Sequence, residues 1–153
     1  MYSIDTSALL DGLVRHYPIA TFPGLWSRID DLIQNNRLKA CEMVKDELDR
    51  RDDDASAWIK ARPEMVVPID TERQPHIRRI LATHPRLVDT RRGRSTADPF
   101  VIALAMQLGC PVVTGEAATG VPTKPNIPDV CQAEGIECIT FLQLIQRSGW
   151  VFR

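Results

Sequence analysis

Four acidic residues stand where an ordinary fold has little use for them: Asp5, Glu47, Asp98 and Glu116. Asp5 follows the short apolar run that opens the chain, and Glu116 lies just beyond VVTG. In open α/β sheets, ligands bind in the crevice outside the carboxyl ends of the strands, where both acids project if their strands are parallel neighbours. Asp98 opens the segment ADPFVIALA and shares a helical face with Val101, Ile102 and Ala105. Glu47, in CEMVKDELDR, falls between Met43 and Val44 on the helical wheel, while Lys45 and Asp49 point away. Burying a bare carboxylate is costly, so each needs a partner. Four of them facing one crevice repel one another, and a hard divalent cation with oxygen ligands, Mg²⁺ or Mn²⁺, relieves the repulsion. A carboxylate cage of that kind suits phosphodiester hydrolysis. Each acid also has a plainer reading: Asp98 as a helix cap, Asp5 as a turn residue, Glu47 as the partner of a buried arginine.

The elements that must position these acids are short. Met1–Ile4 reads as a strand, and Ser7 as the cap of a helix reaching His16 with Leu9, Leu10, Leu13 and Val14 on its apolar face. Pro23 starts a second helix through Leu25, Trp26, Ile29, Leu32 and Ile33. Glu42–Arg50 is helical, Asp52–Asp54 is a solvated helix start, and Met65–Ile69 is an irregular or edge segment because of Pro68. Thr71–Thr83 reads as a basic amphipathic helix with Ile77, Ile80 and Leu81 inward. Ala97–Leu108 is apolar nearly all round, which predicts a buried helix ended by Gly109. Strands at Pro111–Thr114 and Ile136–Thr140 enclose a helix over Asp129–Glu134, and Phe141–Arg147 is a final helix. Short apolar strands alternating with helices predict a helix-rich α/β sandwich on a parallel sheet.

Composition removes several classes. With 153 residues, one domain over 1–153 is expected. The net charge of −1 argues against coating nucleic acid by bulk charge, though not against a local basic patch. No apolar stretch approaches the ~18–20 residues of a membrane helix, and the first residues lack a signal-peptide pattern, so a cytoplasmic protein is expected. Cys41, Cys110, Cys131 and Cys138 form no CxxC pair, and His16, His76 and His84 are scattered, so the thiols read as packed apolar groups rather than zinc ligands. Walker, GxSxG and GxGxxG motifs do not occur.

The segments Tyr2-Ser3-Ile4-Asp5-Thr6-Ser7, Val44-Lys45-Asp46-Glu47-Leu48, Ala97-Asp98-Pro99-Phe100-Val101-Ile102-Ala103 and Val112-Val113-Thr114-Gly115-Glu116 together resemble the PIN domain. The likeness is greatest to VapC-like toxins and a related bacterial PIN-like branch, which also resembles the chain in Lys124-Pro125-Asn126-Ile127-Pro128-Asp129-Val130-Cys131. It runs from Met1 to about Ile145 and rests on the order and spacing of the segments. The resemblance implies a three-layer α/β/α sandwich with a mostly parallel sheet of four to five short strands. It also implies a Mg²⁺- or Mn²⁺-dependent ribonuclease whose acids are Asp5, Glu47, Asp98 and Glu116. Glu116 stands where the family usually carries Asp in a Thr-Asn-Asp-like turn, so it reaches an ion directly or through water, and Asp129 either substitutes for it, assists it or caps a helix. Thr6, Ser7 and Thr114 match positions that orient the acids by hydrogen bonds. A homodimer and a small antitoxin that blocks the cleft are further implications of the resemblance.

Arg91, Arg92 and Arg94 precede Asp98, with Arg73, Arg78 and Arg79 before them. They read either as holders of RNA phosphates or as a solvated loop and helix face. Trp26 and Trp58 read as core or interface residues, whereas Trp150 lies in an apolar tail that docks on its own domain or on a second copy. Two rivals stand beside the toxin nuclease. An inactive PIN-like module would bind RNA or a protein without cutting. A haloacid-dehalogenase-like phosphatase would use Asp5-Thr6 as its nucleophile turn, but Ser7 occupies the position where that family has a second Asp.

Overall fold

The computed structural model describes residues 1–88 and 96–153. Five strands make an all-parallel sheet in the order β3-β2-β1-β4-β5. β1 (Tyr2–Ile4) lies at its centre, with Ser3 in register with Lys39 on one side and Val112 on the other. β2 (Leu38–Cys41) and β3 (Val66–Val67) extend one half, β4 (Val112–Val113) and β5 (Cys138–Ile139) the other. The chain therefore winds outward from β1 in two opposite directions. That reversal beside β1 is a topological switch point, where α/β sheets open their ligand crevice.

Helices cover both faces, giving the expected three-layer α/β/α sandwich. One layer holds α1 (Thr6–Leu10), α2 (Pro23–Gln34), α3 (Glu42–Asp49) and α4 (Asp54–Lys60), with α8 (Phe141–Arg147) against it. Its joint is aromatic: Trp26 meets Trp58 edge-on at 5.4 Å, and Phe141 lies 5.7 Å from Trp26 and 5.8 Å from Tyr17. Trp26 also donates its indole N–H to the Tyr17 carbonyl at 2.6 Å, so both helical tryptophans are core, as their spacing predicted. The other layer packs α5 (Gln74–Thr83), α6 (Asp98–Leu108) and α7 (Ile127–Glu134) together. Ser3 Oγ donates to the Val101 carbonyl at 2.9 Å, fixing α6 across β1. Among the described residues no helix is long and apolar enough to cross a membrane.

Several expectations need correction. Asp5, not Ser7, caps α1: its Oδ1 accepts the Ala8 N–H at 2.8 Å. The helix then loosens into a π-helical segment over Asp11–His16, whose wider turn carries Val14 out to solvent. β2 was not expected, because the short run LKAC between two helices has no alternation, being buried at Leu38, Ala40 and Cys41. α5 begins at Gln74 rather than Thr71, and Leu81 is exposed rather than inward. Arg73, expected on the exposed basic face, is 2% exposed; its guanidinium is spent on Gln107 Oε1 (2.7 Å), the Pro68 carbonyl and Asp70 (3.6 Å). Arg79 is paired with Glu134 at 3.1 Å. Asp53 caps α4 through the Ala55 and Ser56 N–H groups, in keeping with a helix start at the acidic turn.

Candidate active site

The sequence brings Asp5 to the end of the central strand in two steps. The strand continues far enough for the Asp5 N–H to reach the Val113 carbonyl at 3.0 Å. Its side chain then turns back to cap α1, which buries it to 3% exposure. Three donors converge on the carboxylate. The Ala8 N–H and the Ser7 hydroxyl lie at 2.8 and 2.9 Å from Oδ1, and Thr114 Oγ1 donates to Oδ2 at 2.6 Å. Burial still dominates: it pushes the Asp5 carboxyl up to about 7, against the pull of Thr114, Ala8 and Ser7, with the Glu116 charge adding to the rise. Three hydrogen bonds do not offset the cost of burying the charged form.

The hydroxyls form a connected set that ties β4 to α1. Ser7 Oγ accepts the Gly115 N–H at 2.9 Å, and Thr114 Oγ1 accepts the Glu116 N–H at 3.0 Å. A Cβ at Gly115 would stand 2.2 Å from Asp11 Oδ2 and 3.3 Å from the Ser7 carbonyl, so a larger residue there would displace the Asp11 side chain. Thr6 donates to Glu47 Oε2 at 2.6 Å, reaching from the first turn of α1 to α3. Glu47 is half-buried, and its neighbours Val44 and Leu48 lie in the core, as the wheel predicted. Asp98 is the first residue of α6, after Ala97 at the cap position, and is 7% exposed.

All four acids line one cleft of about 200 Å³, together with Thr6, Ser7, Leu10, Arg15, Ala97 and Val101. The convergence of Asp5, Glu47, Asp98 and Glu116 expected from sequence is therefore present. Thr114 lies behind Asp5 rather than in the cleft wall. Glu116 has a second duty, because its Oε2 accepts the Ile127 N–H that opens α7 at 2.9 Å. Asp129 is no substitute for it. Its carboxylate clips the 117–126 loop by accepting from the N–H groups of Thr119, Gly120 and Asn126 at 2.8 to 3.1 Å. Desolvation works to raise its pKa, but these backbone donors outweigh it and hold the group below the usual carboxylate range. Arg91, Arg92 and Arg94 lie outside the described residues.

Arg15 is the cleft residue that sequence reasoning missed. It projects from the π-helical segment and pairs with Asp11 at 2.6 Å while remaining largely exposed. The only signal was its i+4 spacing from Asp11, which reads as a routine surface pair.

The donor chemistry fits a hard divalent cation: every acid offers oxygen, and burial raises the Asp5 pKa among them. As they stand, no three His, Cys, Asp or Glu side chains among the described residues are arranged to hold one ion. The four cysteines are free, with Cys41, Cys110 and Cys131 buried and the Cys41 thiol pushed up to about 11 by burial. They pack as apolar groups, as expected.

No curated protein matches the chain. One family covers nearly all of it, from residue 2 to residue 152, and the chain belongs to that family, described as Domain of unknown function (DUF4411).

Proposed function

We propose that this protein is a metal-dependent endoribonuclease of PIN-like type. The observation that carries the reading is the meeting of Asp5, Glu47, Asp98 and Glu116 in one cleft beside the central strand of a parallel sheet. A bound Mg²⁺ or Mn²⁺ would supply an activated water and stabilise charge on the phosphate in the transition state. The protein's own residues supply the rest. Thr114, Ser7 and the Ala8 N–H fix the Asp5 oxygens, and Thr6 fixes Glu47. Asp5, raised to about 7, is only partly ionised near neutral pH and would ionise more fully when positive charge enters the cleft. Leu10, Ala97 and Val101 keep one wall dry, and Arg15 at the rim is free to trade Asp11 for a substrate phosphate.

The test is cleavage of single-stranded RNA by the purified protein with Mg²⁺ or Mn²⁺. Asp5→Asn and Asp98→Asn should each abolish it without loss of secondary structure, and EDTA should stop it. Cleavage that survives either substitution or the chelator rejects the proposal. In a cytoplasmic toxin–antitoxin pair, with the protein acting as a homodimer, expression alone should arrest growth and a co-expressed small antitoxin should relieve it.

A second reading, a module that binds RNA or a protein without cutting, is favoured by the tie between Glu116 and α7 and by acids not yet arranged around an ion. Metal calorimetry beside the cleavage assay separates the two readings, because a binding module holds RNA without turnover.

A further inference from the structure

A separate cavity of about 540 Å³ lies between the end of α5 and the loop that follows Glu116. One wall is His84, Pro85 and Arg86; the other is Gly120, Val121, Pro122 and Pro125, with α7 forming the floor. We propose that this cavity seats the base of one unpaired nucleotide of the RNA strand, next to the phosphate held in the acid cleft. The proposal rests on the ribonuclease reading and adds a base-selecting site to it.

Three observations carry it. First, the cavity is built rather than left over. The Asp129 carboxylate gathers the N–H groups of Thr119, Gly120 and Asn126, and Asn126 Nδ2 donates back to the Ala117 carbonyl at 2.9 Å. These bonds hold the loop in one shape before anything binds, which lowers the ordering cost of a ligand. On the opposite wall, His84 Nε2 lies 2.9 Å from Glu134 Oε1, and Arg79 holds the other Glu134 oxygen at 3.1 Å, so the imidazole is fixed in orientation.

Second, the chemistry suits a base. The flat faces of Pro85, Pro122 and Pro125 with Val121 offer an apolar slot. Gln132 on the floor brings an amide that can donate and accept along a base edge, and Arg86 lies at the wall for a flanking phosphate. The volume lies within the range of small-molecule sites, roughly 300–1,000 Å³. Third, one loop links residues that line the two sites. Glu116 lines the cleft and anchors the start of α7, while four to nine residues further on the same loop lines the cavity.

The experiment uses the full chain in EDTA, so that nothing is cut. AMP, GMP, CMP, UMP and ribose 5-phosphate are titrated separately, followed by NMR. Binding of at least one nucleotide with a tenfold or greater preference over ribose 5-phosphate is expected. Ala133→Phe, at an exposed α7 position facing the cavity, should remove that preference at unchanged fold, and Gln132→Ala should change which base is preferred. Equal binding of all five probes, no binding, or a preference untouched by Ala133→Phe overturns the proposal. The ribonuclease reading is decided separately by cleavage with Mg²⁺ or Mn²⁺. Cleavage without nucleotide binding refutes the base site alone, and nucleotide binding without cleavage refutes the hydrolytic reading alone.

Discussion

Replacing Asp5 by Asn should make this protein more stable at pH 8 and leave it little changed at pH 4, in metal-free buffer. The carboxyl titrates near 7 in the folded protein and at an ordinary 3.8 when its environment is lost. The folded state therefore binds this proton more tightly than the unfolded chain does. Stability from the protonated group is complete below about pH 4 and is lost as pH rises towards 7, after which the loss is constant. The gap between 3.8 and about 7 corresponds, at about 1.4 kcal/mol per pH unit, to roughly 4 kcal/mol. Asn has the shape of the protonated acid and never ionises. Its carbonyl can take the Ala8 N–H while its amide meets Thr114 Oγ1, whose hydroxyl must then turn to accept. An imperfect fit reduces the gain, so about 2 to 4 kcal/mol is expected at pH 8.

Urea unfolding followed by tryptophan fluorescence, at half-unit steps from pH 4 to pH 8.5, measures both proteins. The difference between their curves isolates residue 5 from every other titrating group. A variant less stable than the wild type at pH 8, or a difference that does not grow between pH 5 and 7, refutes the claim that burial governs this carboxylate. Adding Mn²⁺ should stabilise the wild type at pH 8 by more than it stabilises the variant, since only the wild type has a charge at residue 5 to be compensated.

Thr114→Val removes the 2.6 Å hydrogen bond to Asp5 Oδ2 and the acceptor for the Glu116 N–H. The Asp5 titration, followed by carboxyl NMR, should move upward by roughly one to two pH units, and any RNA cleavage should shift to higher pH with it. Gly12→Ala places a Cβ 2.8 Å from Phe141 Cζ and 3.0 Å from the Trp26 ring, and should cost about 1–3 kcal/mol in the same unfolding assay. Arg62→Lys gives up the two-pronged contact with Asp30 (2.6 and 3.1 Å) and the stacking 4.5 Å over Trp58, for an expected loss of about 1–2 kcal/mol; Asp30→Asn combined with it should be clearly non-additive.

Legibility differed between elements for physical reasons. Phe141–Arg147 is the same helix in sequence and structure, and its start is fixed locally by a reciprocal cap between Thr140 and Gln143. Gly109 ends α6 in the left-handed conformation for an equally local reason. β2 escaped because both faces of a central parallel strand are covered, leaving no alternation to read. Val14 misled because a π-helical turn follows no 3.6-residue period. At the site, Asp5 and Glu116 were legible as carboxylates at strand ends, and Glu47 and Asp98 as carboxylates on apolar helical faces. The division of labour between Glu116 and Asp129 was not, since it depends on which loop N–H groups arrive at each oxygen, and those contacts are set by the fold of the 117–126 loop. Arg73 reversed its expected role for a similar reason: only the packing of α5 against α6 brings Gln107 within reach of its guanidinium.

The placement of Asp5 explains why one residue carries both the architecture and the proposed chemistry. A cap for α1 must accept from Ala8 at the end of β1, and the end of β1 is the switch point of the sheet. The position that starts the helix is thus also the position that faces the crevice. Ser or Asn there would cap as well without the burden of a buried charge. Thr114 and Ser7 donate to the carboxylate and lower its pKa, but cannot return it to the ordinary range against burial. Residue 5 as an acid is therefore costly for the fold alone, and becomes favourable when positive charge enters the cleft that Glu47, Asp98 and Glu116 share with it. If Asp5→Ser keeps α1 capped and raises stability in EDTA while abolishing divalent-cation binding by calorimetry, cap and ligand are separable roles of one side chain. If it lowers stability at every pH, the carboxylate belongs to the fold, and the argument for a cation in the cleft loses its main support.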